Sequence, residues 1–258
     1  MSEASVPFDI AAGFSLLADG GGCPSEFDAG PTPRCPTNHS MYGNVPMARL
    51  FTYTIRIDDG AAPNPFRRMC TLAICKPGIR RVAEPGDWVA GIGSRNARSG
   101  DLSGCLVYAM RVGEVLSLKD YDEQARERWP HRIPNVTSTD LSERLGDCIY
   151  DYSSGSPVQR PSVHGPKNVK TDLSGKNVLL SRDFYYFGSW AIALPKRLLP
   201  IRHPFQGHRS NLNARYLDQF VSWLRGLNFA RGQVHGWPDF VVDWHATSCR
   251  GGCIHRST

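Results

Sequence analysis

The sequence predicts an α+β fold built on a small, strongly bent mixed β-sheet with helices at its periphery. Three observations carry this. Apolar residues from Leu50 onward recur with a period of two and in short runs, as half-buried strands require. The 25 Gly and 19 Pro of the 258-residue chain favour short strands and many turns over a helical bundle. Only a few stretches, chiefly after Ser117 and after Asn213, have a helical period.

Residues 1–46 are rich in Gly, Pro, Ser and Asp and their apolar residues have no sustained period, so we expect a disordered or loosely attached extension. Met47 opens a better domain start, MARLFTYTIR, and is itself a plausible translation start. Phe51, Tyr53 and Ile55 alternate with Thr52, Thr54 and Arg56 as a first strand, ended by Asp58-Asp59-Gly60. Pro63 and Pro65 exclude helix and central strand around Asn64. Cys70 to Cys75 is a second apolar run, stopped by Pro77-Gly78. Glu84-Pro85-Gly86-Asp87 is a turn, Trp88 to Ile92 a third strand, and Leu106 to Val115 a fourth. A serine near 117 caps a helix whose Leu118, Tyr121 and Ala125 share a face, and Thr139 to Leu145 is a shorter one. Asp151 to Lys176 reads as a long irregular loop, a feature usually functional or mobile. Asn177 to Ser181 is a strand, Phe184-Tyr-Tyr-Phe an aromatic run, and Asn213 to Leu224 an amphipathic helix. We take 47–245 as the domain and 246–258 as a flexible tail.

A net charge of +6 is a mild bias toward polyanions. No run approaches the ~18 apolar residues of a membrane span, and no basic region precedes the first apolar stretch as in a signal peptide. A soluble, cytoplasmic protein is expected. On that basis the eight cysteines, at 23, 35, 70, 75, 105, 148, 249 and 253, are expected to be free thiols.

The candidate site residues each have an ordinary reading beside a functional one. Asp58-Asp59-Gly60 is a plain turn sequence, yet Asp59 and Asn64 offer groups that read the edge of a base. Lys76, Arg80 and Arg81 are either solvated cations at a strand end or phosphate contacts, and Arg95 joins the phosphate candidates. If Val89 faces the core, Trp88 points to the other side of the sheet, as a second core residue or as a stacking wall. Tyr108, Tyr185, Tyr186 and Trp190 are further aromatics, and Ser94 follows a Gly-Ile-Gly that is no nucleotide-phosphate fingerprint. The expected ligand pocket is Asp59, Asn64, Lys76, Trp88, Ser94 and Tyr108, with Lys76, Arg80 and Arg95 on phosphate. No Cys–His or Ser–His–Asp arrangement is identifiable from spacing. Should the chain be an enzyme, Asp59 or His164, in the long loop, is the acid–base group. Cys249-x3-Cys253-x-His255 is half a zinc site, completed by Cys70-x4-Cys75 only if the tail folds back, so no metal and no cofactor is expected.

The blocks PNPF (63–66), CTLAICKPGIRR (70–81), GDWVAGIGS (86–94), LVYAMRVGEVLSLKDY (106–121), GDCIYDY (146–152) and VLLSRDFYYFG (178–188) resemble, in this order, the nucleotide modification associated domain 2 family. That resemblance implies a compact α+β domain of bacteria and phages, encoded near DNA-modification enzymes. A weaker similarity, through the turn Pro85-Gly86-Asp87-Trp88 and the strand and helix of Val107 to Tyr121, is to the PUA-like superfamily, which includes the ASCH, EVE and YTH domains. It implies a barrel-like sheet with a pocket for a base. The expected partner is DNA or a nucleotide, with a modified base recognised or processed. The alternatives are an enzyme acting on nucleotides or modified DNA, and a defence or interaction protein without a base pocket.

Overall fold

The computed structural model describes residues 47–203, 205 and 207–239. The expected extension at 1–46 and the tail with Cys249, Cys253 and His255 lie outside the described residues.

Strands β1 (Leu50–Ile55), β2 (Cys70–Leu72), β3 (Trp88–Gly93), β4 (Cys105–Arg111) and β5 (Glu114–Ser117) come first, with a short helix α1 (Pro77–Arg80) between β2 and β3. Helices α2 (Leu118–Arg128) and α3 (Leu141–Arg144) follow, then β6 (Tyr150–Asp151), β7 (Val158–Gln159), α4 (Val169–Leu173), β8 (Asn177–Ser181), β9 (Asp183–Tyr186), β10 (Ile192–Ala193), α5 (Leu217–Gly226) and β11 (Gln233–Val234). The class is α+β, as expected. The strands form a six-stranded sheet in the order β1-β3-β4-β9-β11, with β10 also on β4, a three-stranded sheet β2-β8-β5 and the pair β6-β7. Among the described residues no closed barrel is found. No described helix is long and apolar enough to cross a membrane.

In the large sheet β1 runs parallel to β3, pairing Leu50 with Trp88 and Ile55 with Gly93, and β3 runs antiparallel to β4. Alternation sends Phe51, Tyr53 and Ile55 to one face. There they join Val89, Tyr108, Met110 and Phe184, and pack on Cys70, Leu72 and Leu179 of the small sheet and Ile79 of α1. Leu50, Trp88, Ala90 and Ile92 point the other way, where Phe220 and Leu224 of α5 cover them together with Leu198 and Ile201. Both faces of the sheet are therefore core around β1, β3 and β4, while the edge strand β11 is exposed.

The run Leu106–Val115 is not one strand. It breaks after Arg111, and its second half, β5, pairs with β8 in the other sheet. Ser117 caps α2, its hydroxyl accepting from the Asp120 amide at 3.0 Å. The long loop is more ordered than expected: it contains β7 and α4. Cys70, Cys75 and Cys148 are free thiols, but Cys105 is disulfide-bonded, a pairing that spacing cannot reveal.

Three of the expected pocket residues and one expected phosphate contact lie in the interior. Trp88 is 3% exposed and meets the Phe220 ring edge-on at 6.2 Å, because the face opposite Val89 is a second core rather than a pocket wall. Tyr108 is fully buried, its hydroxyl 2.9 Å from that of Tyr53. Asn64 is buried with its amide nitrogen donating to the Leu145 carbonyl at 2.8 Å and its oxygen accepting from Arg132 at 2.7 Å. Arg80, expected on phosphate, is 0% exposed and spends its guanidinium on backbone carbonyls. A buried aromatic of this size carries a large part of a core's stability. Trp88→Ala should cost about 3–5 kcal/mol in denaturant unfolding while leaving ligand affinity at the strand ends intact; a loss of binding without a loss of stability would return Trp88 to the site.

Candidate functional site

The site begins with a turn. After β2 the chain passes through Cys75 and Lys76 at φ 57° and 39° and enters α1 at Pro77. Two successive non-glycine residues in the left-handed region cost roughly 1–3 kcal/mol each and persist only where the surroundings enforce them. The enforcement is visible. Arg80 Nε donates to the Cys75 carbonyl at 2.8 Å, and its terminal nitrogens donate to the carbonyls of Ala73 at 2.5 Å, Asn177 at 2.9 Å and Asp172. Burial lowers the Arg80 pKa to about 10, which leaves it charged at neutral pH. Gly175 lies against this guanidinium so closely that any Cβ there would overlap it.

The turn holds Cys75 against His164 and Asp172. Cys75 Sγ is 3.4 Å from His164 Nε2, and His164 Nδ1 is 2.6 Å from Asp172 Oδ2. Asp172 is buried; its Oδ1 accepts from the Cys75 amide at 2.9 Å and its Oδ2 also accepts from the Tyr150 hydroxyl at 3.1 Å. Gln159 Nε2 clamps the His164 loop by donating to the carbonyls of His164 at 3.1 Å and Gly165 at 3.2 Å. Burial acts to lower the His164 pKa, but its hydrogen bonds to Asp172 and Cys75 and their charge overcome that and raise it to about 10. Thiol, imidazole and carboxylate thus form a relay in the order used by nucleophilic hydrolases and transferases. The same three side chains lie within reach of one ion. Both Asp172 oxygens are already committed to the histidine, the tyrosine and the Cys75 amide, so the set fits a relay better than a metal cage.

Cys75 lines a cleft of about 1250 Å³, bounded by the ends of β1 and β3, the start of α1 and Arg202, Phe205, Gly207 and His208. Its charged lining is Arg56, Lys76, Arg95 and Arg202, with His208 on the wall and no carboxylate among the described lining residues. Lys76 Nζ sits 4.3 Å above the Tyr53 ring and 3.3 Å from the Thr54 carbonyl, and burial lowers its pKa. Ser94 lines the cleft, but its Oγ is buried from solvent and has no hydrogen-bond partner among the described residues. Arg95 is exposed and 3.9 Å from Asp101.

Of the residues expected at the site, Lys76, Ser94 and Arg95 line the cleft together. His164 lies behind Cys75, while Asn64, Arg80, Trp88 and Tyr108 are elsewhere in the interior. Asp59 is partly buried, its carboxylate accepting from the Ala61 amide at 3.0 Å, and it does not line the cleft. Burial, first of all, raises its pKa, with the His164 charge opposing. Sequence reasoning missed Cys75 and Asp172 as partners of His164, since residues at 75, 164 and 172 share no local period. The Cys-Lys-Pro-Gly at the end of an apolar run was the available signal: a thiol at a strand-to-helix turn.

Residues 47–247 match the family described as nucleotide modification associated domain 2. The chain belongs to this family. The matched span includes Cys75, His164, Asp172 and every described residue of the cleft. The family description ties the chain to nucleotide modification systems. No curated protein and no solved structure matches it.

The relay makes a pH prediction with a definite sign. The His164 pKa rises from 6.5 to about 10 on folding, so its contribution to stability is complete below about pH 6.5 and is lost as pH rises through about 10. The stability difference between the native chain and His164→Gln should shrink over that window in equilibrium unfolding; a gap that stays constant or widens would mean the imidazole gains no charge-stabilising partners.

Proposed function

We propose that this domain holds a phosphate-bearing ligand, a nucleotide or a stretch of nucleic acid, in the cleft between β1, β3 and α1, within a system that modifies nucleotides. One observation carries the reading: a concave surface whose charged lining is Arg56, Lys76, Arg95 and Arg202 with no described carboxylate among them. Guanidinium groups suit phosphate oxygens through charge-assisted and bidentate hydrogen bonds. The volume of about 1250 Å³ exceeds the roughly 300–1,000 Å³ of drug-sized pockets, so a nucleotide with attached chain fits. The DNA partner, the modified base, the PUA-like description of the bent sheet and the bacterial or phage setting belong to this proposal and lean on family membership and resemblance. The reading as an interaction protein without a pocket is disfavoured by the cleft itself. The enzymatic reading is favoured by the relay at its edge.

Binding should be strongly salt-dependent. For single strands log K falls with log salt by about 0.7 per neutralised phosphate. Anisotropy titrations of labelled single- and double-stranded oligonucleotides, competed by free nucleotides, measure the slope. The double variant Arg95→Ala/Arg202→Ala changes two exposed side chains, so it should leave the melting temperature alone and flatten the single-strand slope by about 0.7 per lost phosphate contact. Affinity indifferent to salt and to this variant would refute a phosphate role for the cleft.

A further inference from the structure

We propose that Cys75 is the nucleophile of an acyl-transfer centre, with His164 as its base and Asp172 as the residue that orients the histidine, acting on an amide or ester carbonyl carried by the ligand in the cleft. The choice of a phosphate-bearing substrate rests on the proposed function; the relay does not.

Four features of the geometry support the assignment. Cys75 lines the cleft, whereas His164, with a side chain 14% exposed, is not among the described lining residues. The thiol sits on a strained strand-to-helix turn, the arrangement that thrusts a nucleophile into a cleft. The amide of the residue after such a nucleophile serves as an oxyanion donor; the Lys76 amide makes no hydrogen bond within the described residues, whereas the Cys75 amide is taken by Asp172. Finally, Nδ1 of His164 is engaged by Asp172, which leaves Nε2 as the nitrogen facing sulfur.

The chemistry balances with water as the second reactant. With the proton already on His164 Nε2, sulfur attacks the carbonyl carbon as the thiolate, and the C=O π electrons move onto oxygen beside the Lys76 amide. Collapse breaks the carbon–nitrogen or carbon–oxygen bond, and the leaving group takes the proton from Nε2, leaving a thioester on Cys75. Water then attacks the thioester carbon and gives a proton to Nε2. The carbon–sulfur bond breaks, and the thiolate is released beside the protonated His164. An amine or alcohol acceptor in place of water would transfer the acyl group instead of hydrolysing it.

The test uses the full chain and p-nitrophenyl acetate, which needs no nucleotide. The expected result is a burst of nitrophenolate with the acetyl group mapped by mass spectrometry to Cys75, and not to the buried free thiols Cys70 and Cys148. Cys75→Ser should lose the thioester adduct, and His164→Gln should acylate about a hundredfold more slowly, the lower end of general-base effects. Melting curves check that both variants fold. Should His164→Gln fail to fold, the rate of Cys75 in the native chain is compared with that of the same cysteine peptide in denaturant: faster in the native chain supports the proposal, equal or slower overturns it. A Cys75 rate unmoved by His164→Gln also overturns it and leaves a structural hydrogen-bond cluster. Oligonucleotide binding by Cys75→Ser reads the cleft separately, so an inert thiol and a cleft that binds no phosphate are distinct failures.

Discussion

The geometry of the site depends on one buried cation. Arg80 reaches from α1 to carbonyls of Ala73, Cys75, Asp172 and Asn177, and thereby joins the turn after β2, the end of α4 and the start of β8. A buried carbonyl left without a partner costs about 1–3 kcal/mol. Arg80 touches none of the reacting atoms. It fixes the two backbone segments that carry the sulfur and the carboxylate, and so sets the distance the imidazole must bridge. A second buried arginine does similar work next door. Arg132 donates to the carbonyls of Phe66 and Met69 and to the side chains of Asn64 and Thr71, while Asp147 accepts from Thr71 and Tyr121. Loops rich in proline and polar groups are held by cations inside the protein as well as by the apolar packing of Ala61, Phe66, Ile74 and Leu145.

The sheet contributes by closing off alternatives. Its two faces are both covered, one by the small sheet and α1, the other by α5 and residues 194–201. Function is left to the strand ends. Gly91 marks how tightly the covered face is packed, since a Cβ there would run into Ile55 and Tyr108. The cleft forms where β1 and β3 run out in parallel register. Thr52 and Thr54 anchor the facing segment there, donating to the carbonyls of Ile201 at 2.6 Å and His203 at 2.5 Å.

Much of this architecture was legible. The alternation from Leu50 to Ile55, the run at Trp88 and the Ser117 cap all report local constraints, and each became the element its pattern implies. Parity at Trp88 was legible too, but parity gives a side and not what lies on it: α5, over a hundred residues later, turned an expected pocket wall into core. The same holds for Arg80. A cation at a strand end looks solvated until the chain supplies enough carbonyls to enclose it. Lys76, Ser94 and Arg95 were accessible to reasoning because strand ends are where loops meet solvent. The pairing of Cys75 with His164 was not, because it depends on how the 151–176 segment folds back, and no periodicity encodes that.

The overlap between Gly175 and Arg80 has a reach beyond this one chain. The two positions form an evolutionary lock. A side chain at 175 would have to displace the guanidinium, and loss of the guanidinium would remove that obstacle. Across descendants they should vary as a pair, and chains in which both have changed would mark the branches that abandoned the thiol turn.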